Sequence, residues 1–134
     1  MKKEEFSKYF DHTILNPAAT ADDVRRICRE AVQYGFFAVC VNPCNVKLVS
    51  DELSGSEVKV CSVVGFPLGA NTPEIKAAEA AGAVGDGADE IDMVVNVGAL
   101  KAGDFQRVEE DIASVVYAAD GKTVKVIIEA SLLD

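Results

Sequence analysis

Apolar and polar positions along this chain fall into two kinds of run that take turns. Phe36 to Val41, Val58 to Val64 and Lys122 to Glu129 are short runs rich in β-branched residues and are read as strands. The first is apolar nearly throughout, as expected of a strand covered on both faces. Asp11 to Leu15 is a brief extended segment closed by Asn16-Pro17 and is taken as the first strand.

Between these runs the apolar spacing becomes helical. Thr20 is a suitable N-cap with Asp22 and Asp23 in the first turn, and Val24, Ile27, Cys28, Ala31 and Val32 follow until Gly35 stops the helix. Asn42-Pro43 starts a second helix carrying Val46, Val49 and Leu53. Asn71-x-x-Glu74, with Pro73 inside it, predicts a capped helix start. Ala77, Ala78, Ala80 and Ala81 would give that helix a small-residue surface for close packing on a sheet, and Gly85 and Gly87 would end it. Asp104 would cap a last helix whose stripe is Phe105, Val108, Ile112, Val115 and Val116, with Glu109, Glu110 and Asp111 turned away. Residues 3–9 predict a short helix, with Phe6, Tyr9 and Phe10 able to cover the end of a core.

Residues 87–98 break the simple pattern. Their β-rich centre, bounded by glycines, reads as a buried strand, yet it contains Glu90 and Asp92. By strand alternation Glu90, Asp92 and Val94 point to one face and Ile91, Met93 and Val95 to the other. One face of this strand is therefore expected to be polar and enclosed.

The order β-α repeated four times plus a terminal strand implies a parallel sheet with right-handed crossovers, in one domain spanning residues 1–134. An open doubly wound sheet and a (β/α) barrel both satisfy this order. Asp11, Glu90, Asp92, Lys125 and Glu129 put charge on one strand face, which suits the interior of a barrel or part of one. No Gly-x-Gly-x-x-Gly or Walker loop follows any strand, which counts against a nucleotide-binding open sheet. The expected class is α/β, a partial (β/α)8 TIM barrel of about five parallel strands with helices outside.

Composition narrows the function classes. At 134 residues the chain is long enough to bury roughly two thirds of its unfolded surface without staples. With 22 acidic against 13 basic residues and no local basic patch, nucleic acid and anionic membranes are not expected partners. There is no long apolar span or apolar leader, so a cytosolic location is expected. Cys28, Cys40, Cys44 and Cys61 form no Cys-x-x-Cys pair and the chain has one histidine. They read as reduced, small apolar residues, and neither zinc nor another cofactor is expected.

The chemistry concentrates on two strands. Lys125, Ile127 and Glu129 share a face of the last strand, and if it neighbours the preceding one, Asp92 and Lys125 meet across the interior. Such a pair is either a structural salt bridge or a proton-moving pair. His12 points opposite to Asp11 and Thr13 and is expected to pack.

These segments resemble one family. Asp11-His12-Thr13, Val39-Cys40-Val41-Asn42-Pro43, Val58-Lys59-Val60-Cys61, Val64-Gly65-Phe66-Pro67-Leu68-Gly69-Ala70, Ala88-Asp89-Glu90-Ile91-Asp92-Met93-Val94 and Lys122 through Glu129 are similar, in order, to deoxyribose-phosphate aldolase. The resemblance implies a class I aldolase on a (β/α)8 barrel. Such an enzyme reversibly splits 2-deoxy-D-ribose 5-phosphate into glyceraldehyde 3-phosphate and acetaldehyde through a Schiff base on a strand-six lysine. It further implies that Asp92 matches the aspartate of the proton relay and Lys125 its supporting lysine. Asp11, Thr13, Asn16 and Cys40 match positions lining the substrate end.

Two departures shape the expectation for activity. Ala130 stands where the family usually has threonine after the strand-five glutamate. No lysine of this sequence matches the Schiff-base nucleophile, and Lys125 beside Asp92 would stay protonated, so the chain alone is expected to lack efficient aldolase activity. A five-strand arc would also expose two strand edges and its inner face, so completion by a homodimer or higher even oligomer is expected.

Overall fold

Five strands pair side by side in chain order, all parallel, into one sheet: β1 (Asp11–Ile14), β2 (Ala38–Val41), β3 (Lys59–Val64), β4 (Glu90–Val94) and β5 (Thr123–Ile127). This computed structural model describes residues 2–133. The unreversed strand order decides between the two architectures, because a doubly wound sheet reverses at a switch point and a barrel does not. The helices are α1 (Lys3–Ser7), α2 (Ala21–Tyr34), α3 (Val46–Glu52), α4 (Pro73–Gly85), α5 (Val97–Lys101) and α6 (Phe105–Ala118). The short α5 was not anticipated; Asn96 caps it by accepting from the Ala99 N–H, within a stretch read as the end of a strand.

The sheet is covered unequally on its two faces. On one, Val39, Val41, Val60, Val64, Ile91 and Met93 pack against Val24 and Ile27 of α2, Val46 and Val49 of α3, Ala80 and Ala83 of α4 and Val115 of α6. This is the main core. His12 points to the same side, stacking on Phe36 at 4.8 Å with Nε2 2.7 Å from Glu30 Oε2. On the other face Ala38, Cys40, Cys61 and Val63 form a small cluster with Leu15, beside the strand charges. Alternation along each strand thus sorts apolar bulk to the helices and small or charged residues to the concave side.

Local chemistry sets the helix ends. Thr20 and Asp23 form a reciprocal capping box, and Gly35 ends α2 at φ 68°. The cap of α4 is Thr72, which accepts from the Ile75 N–H, one residue later than Asn71. Asp104 caps α6 as expected.

Three readings of burial are corrected by the packing. The α4 surface that meets the core is Lys76, Ala80 and Ala83, whereas Ala78 and Ala81 are exposed. In α6, Asp111 is buried, whereas Phe105 and Val116 are exposed. Phe6, Tyr9 and Phe10 cover no core end; they stay exposed, with Phe6 and Phe10 joining Val32 and Tyr34 along an open groove.

The first two corrections share one cause. Lys76 is fully buried, and its Nζ donates to Asp111 Oδ2 at 2.6 Å and to the Val94 carbonyl at 2.9 Å. The lysine therefore ties α4, α6 and the end of β4 together. Its path depends on Gly65, since a Cβ there would sit 2.9 Å from Lys76 Cε. Removing one partner of a buried ion pair strands the other charge and costs about 3–5 kcal/mol, whereas replacing both by apolar groups costs much less. Urea unfolding should accordingly show Lys76→Met destabilised by about 3–5 kcal/mol and most of that loss recovered in Lys76→Met/Asp111→Leu.

Candidate active site

The concave face is laid out in rows by the strand register. Thr13, Cys40, Cys61, Glu90 and Thr123 are successive partners across all five strands, and Val63, Asp92 and Lys125 form the next row. Lys125, midway along β5, is the centre of the charged part. Its Nζ lies 3.2 Å from Asp92 Oδ1, 3.8 Å from Glu90 Oε1 and, across the whole arc, 3.1 Å from Asp11 Oδ2 on β1. A side chain of one edge strand reaches the other only because the sheet curls.

These neighbours determine the state of the lysine. Desolvation pulls the Lys125 pKa down, but Asp92 and the hydrogen bond to Asp11 outweigh it and hold the group above its ordinary value. The carboxylates carry that effect at neutral pH. The Cys61 thiol cannot supply a charge there, because the adjacent Cys40 thiol and its burial push its own pKa far up. Glu90 is 7 % exposed, and desolvation raises its pKa against the pull of Lys125, with Asp11 and Asp92 adding to the rise. An ammonium so placed orients carboxylates and donates protons; it lacks the free lone pair of an amine nucleophile.

Asp92 divides its two oxygens. Oδ1 faces Lys125, without the alignment of a hydrogen bond, and Oδ2 receives the Cys40 thiol at 4.0 Å. The remaining candidates separate. Asp11 joins the cluster directly; Cys40 borders it through Asp92; Thr13 is on the same face but exposed. Asn16 lies beyond β1 in the loop, exposed, its Oδ1 accepting from the Ala18 N–H. Glu129 falls outside the alternation, past the end of β5, at φ 49°.

The loop after β3 borders the same end of the sheet. The Gly69 N–H donates to the Gly65 carbonyl at 2.7 Å, and a Cβ on Gly69 would collide with the Val95 carbonyl. Glycine at φ 67° therefore lets this loop lie against the end of β4.

With this geometry in place, the comparisons with known proteins are decisive. The model of the DeoC/LacD family aldolase matches residues 6–134. The chain belongs to the DeoC/LacD aldolase family. Deoxyribose-phosphate aldolase of Clostridium perfringens is 55% identical over 134 residues, 99% of this chain and 60% of that protein. The same enzyme of Streptococcus gordonii is 56% identical over 129 residues, 96% of this chain and 59% of that one. Among solved structures, the tetrameric deoxyribose phosphate aldolase from Aeropyrum pernix superposes with a TM-score of 0.90 at 37% identity, covering 99% of this chain and 56% of that one. This DeoC/LacD chain thus spans about 60% of the length of the curated relatives it matches. Its five strands are an arc of that barrel type.

Two features of the site escaped the sequence reading. One is Cys61, whose part in the inner row depends on the β3–β4 register. The other is the threefold contact of Lys125, which strand alternation makes possible but only the curvature of the sheet brings about.

Proposed function

We propose that this chain carries the proton-handling part of a deoxyribose-phosphate aldolase type of site. In that reading the reaction is the reversible cleavage of 2-deoxy-D-ribose 5-phosphate to glyceraldehyde 3-phosphate and acetaldehyde, in the cytosol and without a cofactor. Asp92 takes up and returns a proton at the carbon next to the reacting carbonyl, and Lys125 holds it in place and supplies positive charge. Asp11, Thr13, Asn16 and Cys40 contribute to the end of the face that receives the sugar phosphate.

The observation that carries this reading is the convergence of Lys125 on Asp11, Glu90 and Asp92 in a chain of the aldolase family. The same convergence limits it. A Schiff base needs a neutral amine, and Asp92 and Asp11 keep the Lys125 amine charged. Lys59 lies on the same side but is exposed at the start of β3, away from the relay. The nucleophile is then supplied by polypeptide outside these 134 residues, and the chain alone has no efficient turnover.

A second reading, a non-catalytic oligomeric module, is favoured by the edge strand. β5 is only partly buried along its apolar positions, whereas every residue of β2 is buried. A second copy meeting the first around a two-fold axis would cover that edge and the inner face. Light scattering at micromolar concentration should report a dimer or higher even oligomer; a well-folded monomer would refute this mode of completion.

For the aldolase reading, acetaldehyde followed by borohydride should leave no adduct mass on Lys125, and 2-deoxy-D-ribose 5-phosphate should not be cleaved by the purified chain. A stoichiometric adduct on Lys125, with turnover abolished in Lys125→Met, would make Lys125 the nucleophile and overturn the assignment.

A further inference from the structure

The concave face holds a second set of groups that proton transfer leaves unused. Cys40 and Cys61 are register partners on neighbouring strands, and Asp92 lies in the next row. One ligand atom from each, two sulfurs and a carboxylate oxygen, all lie within 4.8 Å of one another. We propose that Cys40, Cys61 and Asp92 form a binding site for a thiophilic divalent cation of the zinc type, with the fourth position open to water.

Distances and charge both allow it. Bonds of about 2.3 Å to sulfur and about 2.0–2.2 Å to oxygen place tetrahedral ligand atoms about 3.5–4 Å apart. The Cys40 sulfur and Asp92 Oδ2 are already 4.0 Å apart, so a small inward shift closes the set. Asp92 offers this oxygen without giving up Lys125, which faces its other one. Entry of the dication releases the two thiol protons to solvent, and the formal charge of the pocket is unchanged.

An independent observation points to a cation. Glu90, the register neighbour of Cys61 on the same face, is 7 % exposed, and its Oε2 has no hydrogen-bond partner among the described residues. A buried carboxylate oxygen without a partner is costly, and a metal-bound water would satisfy it. Two sulfurs and one oxygen select zinc or cadmium over magnesium or calcium. No cysteine spacing announces the site, because its ligands come from three strands. Occupancy takes Asp92 Oδ2 out of proton transfer, so under the aldolase reading a filled site is a silenced one. Metal binding itself does not depend on that reading.

The test uses the full chain, reduced and metal-free, titrated with cadmium while sulfur-to-cadmium charge-transfer absorption is followed. Saturation is expected at one equivalent per chain, with the band retained in Cys28→Ser and Cys44→Ser, lost in Cys40→Ser and Cys61→Ser, and shifted at least tenfold to weaker binding in Asp92→Asn. Cadmium NMR of the unmodified chain guards against misfolded variants, because the shift reports the number of sulfur ligands. A two-sulfur shift supports the site. A shift with fewer sulfurs, or a band that survives loss of Cys40 or Cys61, or one that vanishes in Cys44→Ser, overturns it. No turnover is measured, so this outcome is separate from the aldolase result.

Discussion

The Lys125 ammonium links the two edges of the sheet, and the rest of the inner face is arranged around that link. Its contact with Asp11 spans β5 to β1, and its contacts with Glu90 and Asp92 fix the neighbouring strand. Ionised carboxylates placed this close together repel one another unless a cation sits among them. The curl of the sheet brings them within reach of one lysine, and that lysine in turn makes the curl tolerable for the carboxylates. Because the Lys125 side chain is 42% exposed, water screens part of the attraction, and the apolar core on the opposite face remains the principal source of stability.

The helix side depends on a different charge pair. Lys76 and Asp111 are buried among apolar residues, and the lysine also satisfies the Val94 carbonyl at the end of β4. The β4 strand is thus held at its end by an ammonium on the outer side and contacted by another on the inner side. Such a frame keeps the Asp92 backbone in place whatever fills the concave face.

Much of this was legible in the sequence, for reasons that can be named. β-branched runs bounded by glycine, proline or asparagine marked the strands, since period-2 alternation survives in a short segment; Asp92 and Lys125 could be placed on one face by counting. Helical faces were less secure. An apolar stripe cannot reveal a lysine such as Lys76 that is buried because a distant helix supplies its carboxylate, nor an Asp111 buried for the same reason. Asn16 was expected at the substrate end from the resemblance alone, and residue identity does not disclose that its side chain also accepts from the Ala18 N–H in its own loop. Cys61 and Glu90 gained their significance from strand register and curvature, long-range properties that no local pattern encodes. The family resemblance and the residue reading met at the same strand, and the match of the DeoC/LacD family model to residues 6–134 settles the membership that both pointed to.

The proposed roles of Lys125 and Asp92 rest on Lys125 being held as an ammonium by its carboxylate neighbours. The most direct measurement is an NMR titration of the Lys125 side chain, assigned with Lys125→Met. The account predicts that Lys125 stays protonated through the neutral and mildly alkaline range and titrates above an ordinary lysine, moving down when Asp92 is changed to Asn. Deprotonation below the ordinary lysine value in the folded chain would contradict it.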